Sequence, residues 1–405
     1  MRIHLQVRPI LAALHSHKAA VVLLVLEIAL TMAVLGNLVF IVYGNIQRAH
    51  VPTGVAESGI GLIQSIGVIG QDNPGTAAGN IAVLRAVPGV ADAAYGGPPL
   101  WFVQSNPVFV DPSRKQALAK VYEFQGSQGL VSTLGLRVIQ GRAPARDELP
   151  VAENATKDTE VPVLATQALA SRLFADGHAL GKVIYDGGSN PMRIVGIVDH
   201  LRGGITGRAD DDYALVAEFL LGNQNVGGGF MIRAGDPAHL PEVLAAAAAA
   251  LQKANPGHVQ SKLYTMAELR ENYFRSDLAA GRMLVAIMLI LLVVTALGVS
   301  GLASFWVQQR RRQIGMRRAL GATRGDILHY FQVENFLIVS AGVLLGALFA
   351  YALNLFLMHR FELAHLPAHY LLVGALALWV LGQLAVLGPA LRAAAVPPVV
   401  ATRSV

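Results

Sequence analysis

The chain has 405 residues, of which 54% are hydrophobic and only 14% charged, with a mean hydropathy of +0.48. Soluble domains carry about 25% charged residues, so this composition excludes a wholly soluble protein. The net charge of +6 raises the question of nucleic-acid binding, and the absence of cysteine excludes disulfide scaffolds, thiolate catalysis and Cys-ligated metal sites.

In chain order, Ile3, Val7, Ile10, Leu11 and Leu14 recur at helical spacing with Pro9 at the start. This predicts an amphipathic helix on the membrane surface within residues 1–18. Residues 19–42 are apolar except for Glu27, and a span needs about 20 such residues. The stretch is too long for a signal-peptide core and lacks an A-x-A site, so it reads as a retained helix. Residues 43–282 are nearly neutral, with 20 Lys or Arg against 22 Asp or Glu, and read as mixed α+β, long enough for one large or two smaller domains. Within them the patterns predict a helix over 80–87 and strands at 100–103 and 108–110, broken by Asn106-Pro107. They further predict a helix over 166–174, a strand over 192–198 and an Ala-rich helix over 240–253. Thr265 and Glu268 have capping-box spacing. They open a helix expected to run unbroken through Asn272 and Asp277 into a second span, 283–307. A basic loop follows at 308–335, then spans at 336–358 and 370–391, separated by a short loop at 359–369 and followed by a tail at 392–405. The fold class is a four-span α-helical membrane protein with a large α+β domain between spans one and two.

Charge sets the expected orientation. Arg2, Arg8 and Lys18 precede the first span, six arginines sit in the 308–335 loop, and Arg392 and Arg403 lie in the tail. The 359–369 loop has only Arg360 as a cation of this kind. Lys and Arg near span ends stay on the cytoplasmic side. Both termini and the basic loop are therefore expected inside, with the large domain outside. The positive excess is a topology signal, and no basic stripe with interleaved aromatics points to nucleic acid.

No catalytic constellation emerges. There is no G-x-x-x-x-G-K-[ST], H-E-x-x-H or G-x-S-x-G. The twelve histidines are scattered, and the cluster His359, His365 and His369 fits a solvated loop better than a metal site. No cofactor or metal is expected in this chain, and any energy supply belongs to another.

The basic loop is not a plain linker. Ile314, Met316, Ala319 and Leu320 form a short amphipathic helix, Gly321 breaks it, and a second helix begins near Thr323 and enters the third span. A short helix held between two spans is what rigid docking on a soluble motor needs. The residues Val307, Arg310, Ile314, Gly315, Arg318, Ala319, Leu320, Gly321, Ala322, Thr323 and Glu334 match a family pattern here. By them the chain resembles the permease part of MacB/FtsX-type ABC transporters, the type VII or mechanotransmission class. Gln313 stands where the family usually has Glu. The resemblance extends over 129–142, 161–202 and 229–266, whereas 51–121 matches poorly and is a place for substrate or partner specificity. It implies that residues 314–322, with Arg310, Arg317 and Thr323, couple to a groove of an ABC ATPase dimer. ATP and Mg would sit on that partner, expected as a separate subunit because only about 18 residues precede the first span here. A basic anchor on the inner leaflet is the plainer alternative for the same loop. The resemblance further implies a second permease, with a heterodimer favoured, a possible periplasmic adaptor, and residence in a bacterial inner membrane. Export of a small molecule or peptide is the leading role. Transmembrane signalling to a periplasmic enzyme and lipoprotein release are the alternatives.

The spans also carry polar residues. A charge at mid-bilayer is unfavourable by about 2.5–3.5 kcal/mol on insertion scales. Glu27 should therefore face protein, be protonated or meet a donor such as Asn354 or Gln383. Glu334, at the entry of the third span, is expected to pair with an arginine of the loop. Gly342, Gly346 and Ala350 present small residues four apart, for close packing within the subunit or against a second one.

Overall fold

A computed structural model describes residues 18–66, 76–101, 104–113, 116–221, 229–254, 259–361 and 367–397. The expected N-terminal surface helix, His365 and Arg403 lie outside the described residues. The chain divides into two compact units, residues 47–276 and residues 1–46 with 277–405.

After helix α1 (Lys18–Ala49) come β1 (Ile60–Ile66), α2 (Thr76–Arg85) and β2 (Val90–Gly96). The 47–276 unit closes with β10 (Gly229–Ala234), α5 (Leu240–Ala254) and β11 (Val259–Thr265). These four strands run antiparallel in the order β11-β1-β10-β2, the split β-α-β arrangement of ferredoxin-like layers. Ile81 and Leu84 of α2 pack with Leu244, Ala247 and Leu251 of α5 over Ile63, Tyr95, Phe230 and Ile232. Gly61 permits the approach, since a Cβ there would lie 2.7 Å from the Leu244 side chain.

Everything between β2 and β10 is an insertion into that motif. It comprises β3 (Gln104–Val108), β4 (Ala119–Ser127), α3 (Leu130–Leu134), β5 (Val138–Gly141), β6 (Val161–Thr166), α4 (Gln167–Leu173), β7 (Val183–Tyr185), β8 (Pro191–Val198) and β9 (Ala214–Phe219). The sheet continues from β2 through β4-β9-β6-β8-β5. Among the described residues the two halves are joined in register at Gly96 with Gly126, beside a hydrogen bond from Tyr95 N to Ser127 Oγ at 2.9 Å. A Cβ on Gly126 would lie 2.4 Å from the Tyr95 carbonyl oxygen, so the join requires glycine. Every residue of β6 and β9 is buried. Such central strands read as continuous apolar runs rather than alternating ones, and periodicity does not mark them.

The expected break between strands at Asn106-Pro107 is corrected, and residues 102–103 of the expected first strand lie outside the described residues. Leu100 sits in a turn with φ 70°, and β3 instead runs straight through Asn106 and Pro107. β3 pairs with β4 alone, and an edge strand has no second ladder for a proline to interrupt.

Helices α6 (Met266–Gln309), α7 (Arg311–Ala319), α8 (Arg324–Phe361) and α9 (Ala368–Ala394) follow. α1, α6, α8 and α9 are each long and apolar enough to cross a membrane. The capping box that opens α6 is formed: Thr265 N donates to Glu268 Oε2 at 2.8 Å, and Glu268 N donates to Thr265 Oγ1 at 3.3 Å. Leu24, Ile28, Met32 and Leu35 of α1 form the core of the helical unit with Val299, Trp306, Val339 and Leu378.

One buried carboxylate makes the 47–276 unit sensitive to pH. Glu218 on β9 is 4% exposed and accepts the Gly129 and Val131 N–H groups at 3.2 and 2.9 Å. Burial raises its pKa above the ordinary value, and these hydrogen bonds only partly oppose the rise. A raised folded pKa favours the fold while the group is protonated, and that contribution is lost as pH rises through the folded value. Wild type should therefore lose stability relative to Glu218→Gln as pH rises above the ordinary carboxylate range, measured by thermal unfolding of the full chain. A stability difference independent of pH would contradict this.

Candidate functional site

The basic loop folds into α7, a Schellman turn and the start of α8. Gly321 takes φ 99°, Gly321 N donates to Arg318 O at 3.2 Å, and Ala322 N donates to Arg317 O at 3.0 Å. Thr323 then caps α8 reciprocally with Asp326: Thr323 N donates to Asp326 Oδ2 at 2.9 Å and Asp326 N to Thr323 Oγ1 at 3.2 Å. The T-x-x-D spacing that signals this box is present in the sequence.

The expected coupling residues separate into two sets. Ile314 and Gly315 are buried, Ile314 packing with Val307, Ile327, Phe331 and Ala390. Arg310 also faces inward, where its Nη1 lies 2.9 Å from Glu334 Oε1, with side-chain exposures of 11% and 2%. Arg318 Nη1 donates to the Ala394 carbonyl at 2.5 Å, capping the last residue of α9. Arg310 and Arg318 are therefore internal braces rather than surface contacts. Ala322 is half-buried past the helix end. Met316, Arg317, Ala319, Leu320, Gly321 and Thr323 are exposed, Leu320 at 89% and Met316 at 50%. Arg317 stacks over the Tyr330 ring, 4.9 Å from its centroid. α7 thus keeps one anchored edge and one open edge that combines apolar side chains with cations.

The polar residues of the spans are arranged differently from expectation in one respect. Glu27 lies against Gly298 of α6, where a Cβ would come within 2.6 Å of its Oε2. Neither expected donor reaches it. Gln383 Nε2 donates to the Gln332 carbonyl at 3.3 Å, and Asn354 is buried at 1% exposure. The bare backbone of Gly298 makes the room that Glu27 occupies. Glu334 does pair with an arginine of the loop, Arg310. Gly342 and Gly346 face α1, with would-be Cβ atoms 2.6 Å from Ile28 Cγ2 and 2.5 Å from Met32 Cβ. Ala350 is fully buried, and its carbonyl accepts Asn37 Nδ2 at 3.4 Å. This small-residue face is used inside the subunit. Sequence reading missed the buried Thr31–Thr295 hydrogen bond of 2.9 Å between α1 and α6. No periodic signal marks one threonine among apolar residues.

At the other end of α6, Arg270 makes a junction that the sequence did not reveal. Its Nη1 donates to the carbonyls of Ala49 and Val51 at 2.9 and 3.0 Å, and its Nη2 to Glu57 Oε1 at 2.6 Å. Burial alone would raise the Glu57 pKa. Hydrogen bonds from Thr53 and Arg270, with the guanidinium charge, outweigh burial and hold it below the ordinary value. Arg270 therefore ties the C-terminal end of α1 to the first turns of α6. Met266, Leu269 and Phe274 bury the same turns in the core with Ile60 and Leu62. Among the described residues no cluster of His, Asp and Glu has the makings of a metal site.

Residues 285–398 match the family described as FtsX-like permease C-terminal. Over 225 residues the chain is 30% identical to the macrolide export ATP-binding/permease protein MacB of Chromobacterium violaceum, covering 54% of this chain and 33% of that protein. The protein of the same name from Bdellovibrio bacteriovorus is 27% identical over 227 residues, 51% of this chain and 34% of that protein. The chain thus spans about a third of the length of these curated relatives. Among solved structures, the periplasmic region of MacB from Actinobacillus actinomycetemcomitans aligns with a TM-score of 0.36 at 12% identity, over 54% of this chain and 94% of that one.

Removing one member of the Arg310–Glu334 pair leaves the other charge buried, which is unfavourable by about 3–5 kcal/mol. Arg310→Met and Glu334→Leu should each lower the unfolding stability of the detergent-solubilised chain by that order. The double variant should recover most of the loss. Additive losses in the double variant would show that the pair is not the interaction that matters.

Proposed function

We propose, from the premise that the chain belongs to the MacB/FtsX-type permeases of ABC transporters, that it is a non-catalytic subunit driven by a separate ABC ATPase dimer. In this reading the open edge of α7 seats in a groove of the ATPase. Leu320 and Met316 supply the apolar contact, and Arg311, Arg312 and Arg317 supply charge. One observation carries the reading: an anchored helix offers an apolar side chain, Leu320, at 89% exposure beside a row of arginines. A lone basic anchor on lipid accounts for the arginines but not for the Schellman turn that holds Leu320 out. Nucleotide-driven motion of the ATPase would move α7, and Arg310–Glu334 would pass that motion to the end of α6 and to α8.

The large unit is then outside the cytoplasm, with both termini and α7 inside, as the arginine distribution favours. The second span has the least coverage from its own subunit, with 17% of its most apolar window buried against 44% for α1. We assign that face to lipid and to a second permease, a divergent partner being favoured. The relatives named for macrolide export favour efflux of a small molecule or peptide across the envelope, aided by a periplasmic adaptor, over signalling or lipoprotein release.

Leu320→Asp tests the docking edge without touching the core. Co-purification of an ABC ATPase from the native host membrane should fall at least tenfold, while membrane insertion and thermal unfolding stay as in wild type. Undiminished co-purification would remove α7 from the coupling role.

A further inference from the structure

The coupling reading leaves unused a polar groove at one end of the first sheet half. It encloses about 540 Å³, within the roughly 300–1,000 Å³ range of small-molecule sites. Ser58, Asp92, Ser132 and Arg233 line it. Asp92 and Arg233 are cross-strand partners on β2 and β10, yet they form no ion pair. Asp92 is committed elsewhere: its Oδ1 accepts Arg85 Nε and Ala93 N, both at 2.8 Å, and its Oδ2 accepts the Ser132 hydroxyl. Arg233 spends one N–H, on the Ser132 carbonyl at 3.0 Å, and meets no carboxylate among the described residues. Gly135 seats the guanidinium. It takes φ 67°, and a Cβ there would lie 2.8 Å from Arg233 Nη1. The wall of the groove therefore holds a half-buried cation with donors to spare and, among the described residues, no carboxylate at ion-pair distance.

We infer that this groove binds a ligand through a single carboxylate, received by Arg233. A planar guanidinium fork matches a planar carboxylate in a two-point hydrogen bond. The Asp92 carboxylate in the same groove opposes a doubly charged phosphate. The exposed Ser58 hydroxyl at the rim offers a further donor. Ser58 and Asp92 come from residues 51–121, the stretch that the family motifs do not cover, so the preference belongs to this chain rather than to the coupling machinery. The inference stands independently of the ATPase reading.

The test uses the full chain in lipid nanodiscs and dissociation constants from ligand-observed saturation-transfer NMR. The probes are N-acetyl-Ala-Ala with a free carboxylate, its C-terminal amide, and benzoate. At least one acid should bind, with the amide at least tenfold weaker than the dipeptide acid if that is the acid bound. Tighter binding of the dipeptide acid than of benzoate assigns a peptide C-terminus, and the reverse order assigns a non-peptide acid. Arg233→Gln should weaken the bound acid at least tenfold. Ser58→Tyr, which fills the rim and leaves Arg233 in place, should do the same. Absence of binding by both acids, equal affinity for dipeptide acid and amide, or wild-type affinity in both variants would overturn the inference.

Discussion

A single unbroken helix constrains this molecule. α6 has 44 residues, about 66 Å at 1.5 Å per residue, and belongs to both compact units. Each end is fixed by an arginine–carboxylate pair. Arg270 meets Glu57 at the beginning, and Arg310, the residue after the helix, meets Glu334 at the finish. A continuous helix bends only gently unless proline, paired small residues or an inserted side chain interrupts its ladder. α6 contains no proline. It is one continuous helix whose two attachment points are defined chemically.

The two attachments differ in character. At Arg270 the guanidinium serves carbonyls as well as a carboxylate, so it closes the helix end of α1 while holding α6. The pair is partly open to solvent, with side-chain exposures of 20% and 29%. At Arg310 the pair is almost sealed, and a buried pair tolerates loss of either partner poorly. Arg318 adds a third fixed point by capping α9. α7 is consequently not a loose loop. It is bolted to α8 and α9 along one edge, and the other edge stays open.

Much of this was legible in the sequence because the signals were local. Four apolar runs gave the spans, Thr265 with Glu268 gave the start of α6, and Gly321 gave the end of α7. The charge-and-pattern reading of Glu334 with a loop arginine also led to a pair that the fold contains. Long-range partners were not legible. Arg270 and Glu57 are 213 residues apart, and neither sits in a periodic pattern. The family resemblance put Arg310 and Arg318 on a docking surface, because a charge on a short helix reads as solvent-facing until a buried acceptor is known. For Glu27, facing protein, protonation and a polar donor all stayed open, because the glycine on α6 that makes the space it fills leaves no local signal. The broken strand at Pro107 failed for a related reason, since edge position is a property of the sheet and not of the segment. How the second sheet half is inserted between β2 and β10 was equally invisible, because it depends on which strands pair.

The most direct test of the account interrupts this helix and leaves both attachments in place. Four residues, Gly-Gly-Ser-Gly, inserted after Leu278 would break α6 beyond Arg270 and well before Arg310. Amide hydrogen exchange over residues 259–275 would then be followed in the chain purified with the ABC ATPase proposed to drive it, with and without a non-hydrolysable ATP analogue. The account predicts a nucleotide-dependent change in the native protein that disappears in the insertion variant while the ATPase stays bound. An undiminished change in that variant would contradict a transmission route through α6.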